Sequence, residues 1–87
     1  MKIVINTTFG GFYLGEEYCK KYNTYPYDYD NSIRTDPQLV EWVENHPNDN
    51  PSLMAVEIPE EATDWMINEY DGAEQILYVL DGKIHGA

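Results

Sequence analysis

The sequence predicts one small α+β domain, in which a sheet of about four strands packs on two short helices. Three observations lead to this expectation. Short runs rich in β-branched residues occur near both ends of the chain, two segments with helical spacing lie between them, and Gly or Pro residues separate these segments. Because 87 residues leave room for a single core, we expect one domain over residues 1–87.

The N-terminal part of the chain predicts a strand, a turn and a helix. Residues 2–6, KIVIN, are typical of a buried strand. Gly10-Gly11 predicts a turn or a close backbone approach first and a ligand loop second, since no phosphate-binding spacing follows it. Residues 14–22 predict a short helix, because two glutamates open it and two lysines close it, as the helix dipole favours.

Residues 23–34, called the tyrosine loop from here on, predict a connection without regular structure. Tyr25, Tyr27 and Tyr29 alternate within it. If the loop is extended, three rings at this spacing share one face and form an aromatic contact surface. Otherwise the rings cover the edge of the core, and both interpretations stay open.

The middle of the chain predicts its best-defined helix. Thr35 or Asp36 can cap the N-terminus, Pro37 suits the first helical position, and Pro47 ends the helix. One apolar stripe at helical spacing consists of Leu39, Trp42, Val43 and His46. We expect Trp42 to be buried against the sheet, because a stripe of this kind needs a common apolar surface.

The second half predicts strands joined by tight turns. Residues 53–58 form an apolar run that ends at Pro59. Residues 64–70 fit a strand or a helix; we prefer a strand, because apolar and polar residues alternate and Asp71-Gly72 suits a hairpin turn. Residues 75–80 predict a further strand, and a second Asp-Gly pair follows it.

Charge is the strongest compositional signal. The net charge is −11, and all of it belongs to residues 36–87, which contain 12 acidic residues and a single basic residue, Lys83. This balance argues against direct binding of nucleic acid or anionic membranes and favours a protein partner with a basic surface. The candidate partner-binding acids are Glu57, Glu60, Glu61, Asp64, Glu69, Asp71 and Glu74. The tyrosines of the tyrosine loop are candidate anchors beside them, whereas a plain solvated surface is the alternative role of the acids.

No catalytic or metal-binding motif stands out, so we predict a protein that is not an enzyme and carries no cofactor or metal. Cys19, His46 and His85 have the right side chains for a zinc site but not the spacing of one. We expect Cys19 to be a core residue. A small ligand- or metal-binding pocket near Gly10-Gly11, Arg34 and the tyrosine loop is the alternative function. Arg34 would then anchor an anionic group, unless it pairs internally with Asp36 or another carboxylate.

Compartment and assembly follow from the same composition. The chain shows no signal-peptide pattern, no apolar run long enough to span a bilayer, and a single cysteine. We therefore expect a cytoplasmic protein with a reduced thiol, and a homo-oligomer is compatible with the sequence.

In five short motifs the chain resembles a family of small proteins encoded by bacteriophages and prophages. They are MKIVIN at the start, GGF at 10–12, RTDP at 34–37, VEIP at 56–59 and EYDG at 69–72. The resemblance covers residues 1–18 and 34–76, whereas the tyrosine loop and the C-terminal tail match least. It assigns no site residue. It implies a phage origin and, by association with small acidic phage proteins, an inhibitor of host defence such as CRISPR–Cas nucleases, acting as a nucleic-acid mimic.

Overall fold

The computed structural model describes residues 1–87 and shows an α+β fold, which confirms the predicted class. In chain order the elements are β1 (Lys2–Asn6), α1 (Glu16–Tyr22), a 3₁₀ helix (Asn31–Thr35), α2 (Pro37–Asn45), β2 (Leu53–Glu57), β3 (Asp64–Tyr70), β4 (Ala73–Leu80) and β5 (Lys83–Gly86). None of the helices has the length and apolar composition needed to cross a membrane.

The five strands form two antiparallel sheets, where the sequence suggested one sheet of about four strands. β1 pairs with β2, and β3, β4 and β5 form a separate meander. The side chains of β1 are buried on both faces of the β1–β2 pair. Val4 packs with the helices, whereas Ile3 and Ile5 pack with the meander. The molecule therefore has three layers, with the β1–β2 ribbon between the helices and the three-stranded sheet.

Each junction between layers has its own apolar cluster. The cluster on the helix side has nine buried members, among them Tyr18 of α1 and Leu39 of α2. The cluster between the ribbon and the meander consists of Ile3, Ile5, Ile58 and Ile76. Trp65 and Ile67 of β3 are partly buried against the second cluster, so one face of β3 points inward and the other points to solvent.

Two Asp-Gly turns shape the meander, as the sequence predicted. Asp71 and Gly72 have φ of 50° and 88°, and Asp81 and Gly82 have φ of 53° and 74°. Two central residues at positive φ give the turn geometry that matches the twist of paired strands. The preferred strand over residues 64–70 is confirmed as β3. β5 is not predicted from the sequence, because its four residues are all exposed and contain no apolar run.

Helix α1 is capped from a distant loop. Gly15 occupies the N-cap position and has no side chain to offer, and the carboxylate of Asp49 takes the role instead. It accepts hydrogen bonds from the backbone N–H groups of Glu17, at 2.8 Å, and Tyr18, at 3.0 Å. A Cβ atom at Gly15 would collide with this carboxylate. The pair therefore fixes α1 against the loop that follows α2.

Helix α2 begins as predicted, but Trp42 does not lie where expected. Asp36 caps the helix by accepting from the N–H of Gln38, at 2.9 Å, and Pro37 is the first helical residue. Trp42 is only half-buried and packs edge-on against Tyr18 instead of the sheet. The reason is that Leu39, Val40 and Val43 already fill the buried face of the helix. The indole N–H of Trp42 donates to Asp49, at 3.0 Å.

Candidate interaction surface

The predicted partner-binding acids do not form one patch, because β3 separates them. The first acidic group consists of four residues between the end of β2 and the start of β3: Glu57, Glu60, Glu61 and Asp64. The second acidic group consists of Glu69 and Asp71, at its end. A strand rises about 3.3 Å per residue, so the two groups lie roughly 20 Å apart.

The first acidic group presents its charge to solvent. All four of its members are exposed. The carboxylate of Glu60 lies 2.6 Å from the N-terminal amine, and Glu57 lies opposite Lys2 in the β1–β2 register, although Lys2 forms its ion pair with Glu44. Glu61 and Asp64 have no ion-pair partner. An exposed pair of this kind contributes little to stability and is screened by salt. The group therefore remains a net negative surface that can attract a basic partner.

The second acidic group is tied to a turn. Glu69 and Asp71 are both exposed. One carboxylate oxygen of Glu69 accepts a hydrogen bond from the N–H of Gly72, at 3.1 Å, which joins the end of β3 to the turn that follows it. Neither carboxylate has a basic partner, so this group also carries free negative charge.

Glu74 corrects the sequence prediction, because its carboxylate is internal. Its side chain is 6% exposed, and the side chain of its ion-pair partner Arg34 is 8% exposed. The two guanidinium Nη atoms donate to the two carboxylate oxygens, at 2.8 and 2.7 Å, and the N–H of Asn6 donates at 2.8 Å. Burial of a carboxylate requires such a partner. Arg34 thus has an internal ion pair, with Glu74 in place of Asp36.

The tyrosine loop divides its three rings between surface and core. Tyr25 and Tyr27 are 74% and 72% exposed. Tyr29 instead packs edge-on against Phe12, and its hydroxyl donates to the Phe12 carbonyl, at 3.0 Å. Burial raises the pKa of Tyr29, although the nearby Arg34 opposes the shift. Tyr29 is therefore a residue of the core edge and not a partner-binding anchor.

The loop also departs from the predicted absence of regular structure. Residues Asn31–Thr35 form the 3₁₀ helix, and the side chain of Asp30 caps it by accepting from the N–H of Ser32, at 2.9 Å. A turn at residues 25–28 breaks the extended geometry on which a single aromatic face depends, since the N–H of Asp28 donates to the carbonyl of Tyr25, at 3.1 Å.

The residues of the alternative ligand pocket are engaged in internal contacts. Gly10 and Gly11 have φ of 110° and 92°, and they lie so close to Gly72 that a Cβ atom there would overlap their backbone. The N–H of Gly10 donates to the carbonyl of Asp71, at 3.1 Å. The two glycines therefore provide a close backbone approach to the β3–β4 turn. The guanidinium of Arg34 forms its ion pair with Glu74.

Cys19 lies on α1, His46 follows the end of α2, and His85 lies on β5. Cys19 is buried in the helix-side cluster, and burial, with a smaller effect from Asp49, raises the pKa of its thiol. His46 stacks on Trp42 with ring centroids 3.6 Å apart, and His85 stacks on Tyr78 at 5.3 Å. No three side chains of His, Cys, Asp or Glu come together in an arrangement suited to a metal ion.

The solvent-facing side of the meander carries an apolar surface that the sequence reasoning missed. Met66 of β3 and Ile84 of β5 are 59% and 71% exposed. The strand register places Leu77 and Val79 of β4 between them. The alternation in residues 64–70 contained this signal, because it predicted a strand whose second face includes Met66. An exposed apolar surface of this kind is typical of an interaction site.

Comparison with family models, curated proteins and solved structures finds no match to this chain. Its fold and surface alone define its class. It is a small three-layer α+β protein with exposed carboxylates at both ends of β3 and an exposed apolar sheet face between them.

Proposed function

We propose that this protein is an acidic inhibitor that binds the basic, nucleic-acid-handling surface of a host defence protein. It would act in the cytoplasm of the host and mimic the charge of nucleic acid. The observation that carries the proposal is the first acidic group, in which Glu61 and Asp64 are exposed and have no ion-pair partner. Charges placed in this way steer a basic partner toward the surface and help to select it.

The choice of partner class rests on expectations from the sequence. The resemblance to small phage-encoded proteins favours a host defence protein, and the net charge of −11 favours one that handles nucleic acid through basic residues. Tyr25 and Tyr27, which are both exposed, supply additional contact area if the partner extends over the tyrosine loop.

Affinity purification with matched baits tests the proposal. The baits are the wild type, a Glu61→Lys/Asp64→Lys variant, and a control that carries Glu16→Lys and Glu41→Lys. Both variants change the net charge equally, and all four substituted residues are exposed. A lysate of a bacterium that carries a CRISPR–Cas system supplies the partners, and mass spectrometry identifies them.

We expect the wild type and the control to retain a basic nucleic-acid-binding protein that the first variant and high salt both release. In a second step, the purified wild type should displace DNA from that protein. Retention of the same proteins by the first variant would show that these acids serve only solvation.

A further inference from the structure

Strand β3 is an open edge of the meander. The strand order is β3-β4-β5, so β4 is the only strand hydrogen-bonded to β3. Proteins commonly protect such an edge with a lysine, a proline or a very short strand. β3 has seven residues, DWMINEY, and contains no lysine or proline. Its two charged residues, Asp64 and Glu69, are acidic, so they disfavour pairing with another acidic strand but not with a basic one. β5 is the opposite edge, but it is shorter and begins with Lys83.

The register shows which backbone groups of β3 point outward. Ala87 directly follows β5, and its N–H donates to the carbonyl of Ile76, so the backbone groups of Ile76 point toward β5. Backbone groups alternate in direction along a strand, so those of Leu77 point toward β3. Leu77 lies opposite Met66, and Gln75 lies opposite Asn68, so these pairs carry the ladder hydrogen bonds.

The alternate residues of β3 therefore turn their N–H and carbonyl groups away from the sheet. They are Trp65, Ile67 and Glu69. The N–H of Trp65 donates to the carboxylate of Asp64, at 2.8 Å, which agrees with an outward direction. Ile67 and Glu69 keep free backbone groups on the edge.

Open space lies beside this edge. A groove of about 460 Å³ separates the inward side chains of β3 from the 3₁₀ helix, and Trp65, Ile67 and Glu69 line it opposite Asn31 and Arg34. On the other face of the strand, Met66 is largely exposed. A strand added next to β3 would thus place alternate side chains in the groove and over Met66.

We propose that β3 binds an extended, basic segment of the partner as a fourth strand of the meander. This inference rests on the proposed function and names the place where the partner docks. Asp64 and Glu69 lie on β3, with Glu61 and Asp71 beyond its ends, so the edge is complementary to lysine or arginine side chains. A second copy of the chain is a poorer occupant, because it would bring another −11 charges to the same surface.

Two substitutions at Glu69 isolate the edge. Glu69→Ala removes the charge and the oxygen that accepts from Gly72 but keeps the backbone N–H. Glu69→Pro also removes the charge, and in addition it removes the outward N–H and places a ring on the edge. Proline is tolerated at such a position because the lost N–H makes no ladder hydrogen bond.

The probe is a synthetic peptide of alternating lysine and valine, and its binding is followed by amide NMR of the labelled protein. We expect the amides of Ile67 and Glu69 to shift and to exchange more slowly when the peptide binds. Glu69→Pro should bind the peptide at least about tenfold more weakly than Glu69→Ala, since a backbone hydrogen bond is lost and the edge is blocked. If Glu69→Pro does not fold, the inference is tested by the wild type alone: the Ile67 and Glu69 amides must exchange more slowly when the peptide is bound.

The outcomes separate this inference from the proposed function. Peptide binding that weakens with salt but leaves the Ile67 and Glu69 amides unchanged would overturn strand addition and leave the acidic inhibitor intact. Equal binding by the Glu61→Lys/Asp64→Lys variant would overturn the role of charge. No binding of the peptide, or protection of β3 that grows with protein concentration alone, would also overturn the proposed occupant.

Discussion

The guanidinium of Arg34 and the carboxylate of Glu74 face each other with both charged groups buried, across contacts of 2.8 and 2.7 Å. Arg34 also donates to the carbonyl of Val4, at 3.1 Å, and lies over the ring of Phe12, 4.3 Å from its centroid. This ion pair links the 3₁₀ helix, β1 and β4, and it is the point at which the outer layers of the fold are joined through the central ribbon.

Glu74→Gln should destabilise the protein by about 3–5 kcal/mol, because it leaves the Arg34 charge buried without a counter-ion. Glutamine keeps an oxygen for the N–H of Asn6, so the loss reports on charge. The free energy of unfolding in urea is the measurement, and Glu69→Gln is the exposed control. An unchanged urea midpoint for Glu74→Gln would contradict this account. Replacing both partners by apolar residues should recover much of the loss.

Gly72→Ala should cost more stability than Gly82→Ala. Both glycines have positive φ, so each substitution should cost about 1–2 kcal/mol for the left-handed backbone. Only the Cβ atom at Gly72 meets other atoms, those of Gly10 and Gly11. We expect a further loss of about 1–3 kcal/mol from this overlap. Thermal unfolding of the two variants measures the difference, and equal losses would exclude a close packing of the two segments.

Asp49→Asn should remove about 1–2 kcal/mol of stability at neutral pH, since one carboxylate caps two N–H groups of α1. Burial opposes the charge of Asp49, but the hydrogen bonds from Glu17, Tyr18 and Trp42 outweigh burial and hold its pKa below the usual value. The contribution is therefore complete above the unfolded pKa of about 3.9 and disappears as the pH falls through the lower folded pKa.

Urea unfolding of the wild type and Asp49→Asn between neutral and strongly acidic pH provides the measurement. The two curves should approach each other only in the acidic range. A difference that stays constant down to the lowest pH would show that the cap does not depend on charge.

Tyr29→Phe should cost about 1 kcal/mol, because it removes the hydrogen bond to the Phe12 carbonyl. Tyr27→Phe is the matched control, and it should leave stability within about 0.5 kcal/mol, since that ring is exposed. Chemical unfolding of the two variants distinguishes them. Equal stability of both variants would contradict a stabilising role for the hydrogen bond of the Tyr29 hydroxyl.

Local signals in the sequence were enough to predict much of the fold. The β-branched run of β1, the Asp36-Pro37 start of α2 and the Asp-Gly turns all have short-range physical causes, and the structure confirms them. β5 carries no such signal, because its place depends on pairing with β4 and not on its own composition.

The surface was harder to predict, because it depends on contacts between distant residues. Glu74 looks like its acidic neighbours in sequence, yet it is internal, since Arg34 reaches it from the 3₁₀ helix. Trp42 shares the stripe of Leu39, but the smaller residues beside it take the buried positions. The open edge of β3 could not be predicted either, because it follows from the division into two sheets.

The pairing of β1 with β2 has a consequence for how the chain reaches its native state. The meander joins neighbouring segments through two-residue turns, so it can form early and locally. The central ribbon instead joins residues 2–6 to residues 53–57, with both α-helices in the intervening segment. Closing so long a loop costs chain entropy before the contacts between β1 and β2 can compensate for that loss. We therefore expect the encounter of β1 with β2 to limit the folding rate, and a chain on the ribosome cannot complete its middle layer until β2 has emerged.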